Sequence, residues 1–172
     1  MKDLYLAGPL FNEEDNKELD IVEKAATEAG LTFYSPRIEC KCFDSQFAKL
    51  KGIKPEDMTE EQLKLRNNLA NSIYNLNINS INDSRFVLAN IRDNDRGTIW
   101  EMGYAVGKNI PVISYSFKKY GANMMISQSV IKHLENTTMD NLSELIQVLN
   151  DIKSNKDITT IQYKQFAKED IQ

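Results

Sequence analysis

Residues 85–106, RFVLANIRDNDRGTIWEMGYAV, hold one complete β/α unit. Arg85-Phe86-Val87-Leu88-Ala89 is a short apolar run of the size of a buried strand. Asn90 to Gly97 is a polar turn, and Thr98 to Val106 reads as a helix with Gly107 near its end. Working outward, the same alternation recurs. Ile110-Pro111-Val112-Ile113-Ser114-Tyr115 is the next strand. A glycine-bearing loop (Gly121, Ala122, Asn123) then leads into a short helix over 124–129, a weak strand over 130–134 and a last helix over 141–152. Upstream, Leu4-Tyr5-Leu6-Ala7 is a strand stopped by Gly8-Pro9. Residues 12–29 have helical spacing, with Gly30 where a helix end favours a left-handed residue. Leu31-Thr32-Phe33-Tyr34-Ser35 is a second strand closed by Pro36, and a helix opens at Thr59-Glu60-Glu61-Gln62 and runs to about Ser80. Strands alternating with helices imply an α/β fold, a parallel sheet with helices on both faces.

The length, 172 residues, suits one domain with a substantial core. The domain is expected over 1–152, with a polar tail over 153–172 that is either partly mobile or fixed by contact with a partner subunit. The net charge is −4, with no basic block, which argues against a nucleic-acid partner and favours a small substrate. No apolar run has the length of a membrane span, and the N-terminus lacks the apolar core of a signal peptide, so a cytoplasmic location is expected. Cys40 and Cys42 stand as C-x-C, but with His133 as the one histidine no zinc set can be assembled; no metal and no cofactor are expected. Residues 37–55 are irregular and polar, either a binding loop or a decorated surface loop.

In such folds ligands sit beyond the carboxyl ends of the strands, where strand order reverses. The residues there are Gly8-Pro9-Leu10-Phe11-Asn12 after the first strand, Asn90 to Glu101 after the third, and the loop to Asn123-Met124-Met125 after the fourth. Asp93, Asp95 and Glu101 thus converge on one end of the sheet. A carboxylate held ionised in a cleft can attack an anomeric carbon. The spacing also fits a plainer role: Thr98-x-x-Glu101 has the pattern of a capping box, and Asp93 and Asp95 that of turn residues. Dinucleotide, P-loop and serine-elbow fingerprints are missing.

Leu4 to Phe11, Tyr34-Ser35-Pro36-Arg37, Asp95 to Ala105 and Asn123-x-Met125 resemble, in order, segments of the nucleoside 2-deoxyribosyltransferases. The resemblance covers about residues 3–135. It implies a five-stranded parallel sheet in the flavodoxin-like order 2-1-3-4-5 and exchange of the base on a 2′-deoxynucleoside. It implies Glu101 as nucleophile at C1′ and Tyr5 as the group that positions it. Asp95 and, across a subunit interface, Asn123 would bind the sugar hydroxyls, with Met125 packed nearby. Gly8, Pro9 and Phe11 would line the base pocket, with Arg37 at the end of strand two, and Gly97 would let the backbone approach closely. The implied partners are deoxynucleosides and free purine or pyrimidine bases, and the implied assembly is a homo-oligomer, dimer to hexamer, with shared sites.

One departure concerns the proton donor to the leaving base. Many members carry an aspartate eight residues before the aspartate that opens strand three. Counting back from Asp83 gives Asn75, which can hydrogen-bond but cannot protonate; Asn71 and Asn79 are alternatives on the same helix. Two competing functions remain at this level. One is hydrolysis of a deoxynucleoside or a nucleoside 5′-monophosphate, disfavoured for the latter by the apolar first loop. The other is a non-catalytic nucleotide-sensing module on the same fold.

Overall fold

The computed structural model describes residues 1–118 and 123–154. Five strands form one sheet: β1 (Lys2–Ala7), β2 (Phe33–Tyr34), β3 (Ser84–Asn90), β4 (Val112–Tyr115) and β5 (Lys132–Leu134). All pairs are parallel and the order is β2-β1-β3-β4-β5, as expected. Strand order reverses at β1, so the crevice for a ligand opens at the carboxyl ends of β1 and β3.

Because side chains alternate across a strand, each central strand feeds two cores. Leu4, Leu6, Phe86, Leu88, Ile113 and Tyr115 face α1 (Glu13–Glu28) and the helix Ser143–Lys153. Tyr5, Ala7, Val87, Ala89 and Val112 face the opposite layer, which includes the long helix Glu60–Asn82. Burial on both faces explains why these strands read as continuous apolar runs.

Between β2 and that long helix the chain is not an irregular loop. It winds through α2 (Pro36–Glu39), α3 (Asp44–Phe47) and the 3-10 turns Cys40–Phe43, Ala48–Leu50 and Pro55–Asp57. Pro36 starts α2 at a position where its missing N–H costs nothing. Each piece is too short for periodicity to reveal. The long helix, α4 (Glu60–Asn82), opens with a capping box in which Thr59 and Gln62 bond each other's backbone N–H. The remaining helices are α5 (Arg96–Gly107), α6 (Met124–Ser129) and α7 (Ser143–Lys153). Gly30 takes the left-handed backbone expected of it, φ 70°. Gly121, Ala122 and the expected tail beyond Ser154 lie outside the described residues.

α1 carries an acidic stripe that ties down three loops. Asp15 accepts from the N–H groups of Phe11 and Asn12 after β1, at 3.0 and 3.3 Å. Glu18 accepts from Asn90 Nδ2 (2.7 Å) and Arg92 Nη1 (2.9 Å) after β3. Glu23 accepts from Ser35 Oγ (2.6 Å) and Arg37 Nε (2.8 Å) after β2. Arg92 also pairs with Glu14, Asp15 and Asp93, and is only 2% exposed. The pairs of Arg92 with Asp15 and Glu18 are buried and help hold the loops that surround the crevice; losing one partner would leave charge stranded in the interior.

Candidate active site

Glu101 sits on the second turn of α5, at the floor of a cavity of about 650 Å³. Why its carboxylate is available follows from how the helix starts. Asp95, not Thr98, is the N-cap: its Oδ2 accepts from Thr98 N and from Thr98 Oγ1, both at 2.8 Å. Thr98 is therefore the third helical residue, and the Thr98–Glu101 capping box does not form. Gly97 makes room for this cap, since a Cβ there would lie 3.2 Å from Asp95 Oδ2.

Tyr5, fully buried in the centre of β1, donates its hydroxyl to Glu101 Oε1 at 2.6 Å. Asn77 of α4 reaches the same oxygen with Nδ2 at 3.4 Å. Among the described residues no donor reaches Oε2. Burial, and then the negative charge of Asp95, push the Glu101 carboxyl up to about 7, against the two donors, which pull it down. Burial and the Glu101 charge push the Tyr5 phenol well above its ordinary value, which keeps it a donor. Such a carboxyl, raised toward neutrality in a concave site with oriented donors, has the marks of a functional group. Among the described residues no group of three or more His, Cys, Asp or Glu is placed to hold a metal ion.

The model of the family described as nucleoside 2-deoxyribosyltransferase matches residues 4–148, from β1 into α7. This chain belongs to that family. Two solved structures share its fold. One is a 2-deoxyribosyltransferase from the psychrotolerant bacterium Bacillus psychrosaccharolyticus, 24% identical, TM-score 0.52, over 80% of this chain and 93% of that one. The other is a conserved protein from Enterococcus faecalis V583, 16% identical, TM-score 0.55, over 90% of this chain and 99% of that one. No curated protein matches.

In this deoxyribosyltransferase-family chain, Gly8, Phe11, Arg37, Asp95, Gly97 and Glu101 all line the cavity, with Tyr5 bonded to Glu101 from the sheet. Arg37 is not free to meet a ligand's charge, because Glu23 and Asp20 occupy its guanidinium and raise its already high proton affinity. Pro9 is buried and is not among the lining residues. Asn75 is exposed on α4 and does not line the cavity; Asn77 does. Two helical positions differ by about 200° around the axis, so the two asparagines take nearly opposite faces. The displacement has a plain origin: Asp83 is the C-cap of α4 and precedes β3, so a count anchored on it falls short. Asn71 and Asn79 are exposed as well.

Asn123 and Met125 lie in a neighbouring depression with Arg96, Ile99, Trp100 and Ile126. Asn123 caps α6, accepting from Ile126 N at 3.0 Å, and Met125 is 80% exposed. A further part of the cavity wall comes from the 3-10 turn Cys40–Phe43 and α3, through Cys40, Lys41, Asp44 and Phe47. Sequence spacing carried no signal for those four, since the segment lacks periodicity. No helix among the described residues is long and apolar enough to cross a membrane.

Proposed function

We propose that this protein transfers the 2-deoxyribosyl group between nucleobases, through a covalent deoxyribosyl ester on Glu101. The observation that carries the reading is the pair of donors on one oxygen. Tyr5 and Asn77 both bond Oε1, which leaves Oε2 as the atom with a lone pair to give. Oε2 attacks C1′ as the C1′–N bond breaks, and the base departs with the bonding electrons. A second base then attacks C1′ through a ring nitrogen, the ester bond breaks, and the carboxylate is restored. The acceptor nitrogen releases its proton, and the leaving base takes one up. Asn77 has no proton to give, so that proton comes from another source.

Asp95 binds the sugar hydroxyls in this reading. Its Oδ2 is committed to the helix cap, and its Oδ1 has no hydrogen-bond partner among the described residues. Phe11, 78% exposed at the cavity mouth, gives the base an aromatic face. The substrates are deoxynucleosides and free bases. The active unit is a homo-oligomer with shared sites, a reading supported by the exposed Tyr74, Trp100, Met124 and Met125 on the α4–α5–α6 side. Asn123 and Met125 then serve the Glu101 of a neighbouring subunit.

The test is incubation with deoxyinosine and free adenine, with products followed by chromatography. New deoxyadenosine that requires the added base supports exchange. Free deoxyribose alone means hydrolysis, and tight binding without either product means a sensor. Full exchange by Glu101→Ala would refute the mechanism. Mixing inactive Glu101→Ala and Asn123→Ala proteins under conditions of subunit exchange should restore activity if sites are shared.

A further inference from the structure

We propose that Tyr34 is a positioning residue for the Glu101 nucleophile: its hydroxyl holds the Asn77 carboxamide with the nitrogen, not the oxygen, turned toward Glu101. The inference rests on Glu101 being the nucleophile as proposed above.

Tyr34 ends the short edge strand β2 and is in register with Tyr5 of β1. The two side chains therefore share one face of the sheet, and their rings stack at 5.3 Å with 10° between planes. From that place the Tyr34 hydroxyl donates to Asn77 Oδ1 at 3.0 Å. The other end of the same amide donates to Glu101 Oε1 at 3.4 Å. The Tyr5 hydroxyl completes the set on Oε1 at 2.6 Å. Tyr34, Asn77, Glu101 and Tyr5 so form a closed circuit: three hydrogen bonds and one ring stack. Tyr34 is 5% exposed, which would otherwise mark it as an ordinary core aromatic.

An amide has a donor end and an acceptor end, and α4 alone does not choose between them. Turned the other way, Asn77 would set its carbonyl oxygen against the carboxylate oxygen, two acceptors face to face. The 3.4 Å contact is long and would hold the amide weakly on its own. The 3.0 Å bond from Tyr34 is the stronger of the two and fixes the orientation from behind. What Tyr34 secures is therefore the second donor on Oε1, and with it the identity of Oε2 as the attacking atom.

Tyr34→Phe removes the hydroxyl and keeps the ring on Tyr5. Asn77→Ala and the double variant complete a cycle. Two readouts apply: exchange kinetics, and the titration of the Glu101 carboxyl followed by carbon NMR. The ionisable groups that face this circuit are Asp95 from α5, Tyr5 from β1, and Glu39 and Cys40 from the segment after β2, all unchanged in the variants. Because a donor to the ionised form lowers a carboxyl's midpoint, Tyr34→Phe should raise it by about half a pH unit. It should lower kcat about fivefold with KM within about twofold, as expected for loss of the one neutral hydrogen bond that orients the Asn77 amide. In the Asn77→Ala background, Tyr34→Phe should change neither readout. An unchanged midpoint in Tyr34→Phe, or effects that add to those of Asn77→Ala, would overturn the proposal. A wild-type protein without base exchange would instead refute the reading of the reaction. The titration then still decides, since a raised midpoint upholds the Tyr34–Asn77–Glu101 link and an unchanged one overturns it.

Discussion

Replacing Glu101 by Gln should stabilise this protein, and only above mildly acidic pH. Burial carries the carboxyl from an ordinary 4.5 to about 7. At about 1.4 kcal/mol for each tenfold change in proton affinity, ionised Glu101 costs the folded state about 3 kcal/mol. The sign follows from proton counting. Below pH 4.5 both folded and unfolded chains hold the proton, and wild type and variant differ little. As pH rises toward 7 the unfolded chain loses the proton first, so wild-type stability falls while that of the glutamine variant does not. Above 7 the deficit is complete and constant. Glutamine keeps the volume and an oxygen for the Tyr5 hydroxyl. Thermal unfolding of both proteins across pH 4 to 9 is the assay. For a domain of this size a deficit of about 3 kcal/mol corresponds to a Tm about 6–12 °C higher for Glu101→Gln at pH 8. Equal Tm values at pH 8, or the same difference at pH 4.5 and pH 8, would refute the electrostatic account. The same ionisation makes kcat/KM fall as pH drops below about 7, since only the carboxylate attacks.

Three further outcomes follow from the site and its supports. Arg92→Met leaves Glu18 and Asp15 buried without their cation; denaturant unfolding should show a loss of about 3–5 kcal/mol. Asp95→Asn keeps a good N-cap, so stability should change by less than about 0.5 kcal/mol, while KM for the deoxynucleoside rises about tenfold through loss of a charged hydrogen bond to the sugar. Asn77→Ala should lower kcat about tenfold, whereas Asn75→Ala, on the exposed side of α4, should leave it within about twofold.

The β/α order could be read from the chain because the central strands are buried on both faces and so appear as unbroken apolar runs. The place of the site followed from topology, which sends the residues after β1 and β3 to one crevice. What escaped the sequence was finer than an element. Thr98-x-x-Glu101 has the spacing of a capping box, but the helix begins three residues earlier and Asp95 takes the cap. Asn75 and Asn77 are equal in composition, and only the helix phase, set by where α4 ends, separates them. The acids of α1 look like surface residues of an amphipathic helix. Their burial depends on Arg37, Asn90 and Arg92 arriving from distant loops. The cavity wall from α2 and α3 is built of turns too short to show a period.

The most direct test of the mechanism is to trap the ester. Protein mixed with a deoxynucleoside whose leaving group departs readily, in the absence of acceptor base, is quenched in acid, digested and analysed by mass spectrometry. The proposed mechanism predicts a gain of one 2-deoxyribosyl group on the peptide that contains Glu101, lost again when adenine is added before the quench. Base release with no adduct, or an adduct on any other residue, would contradict it.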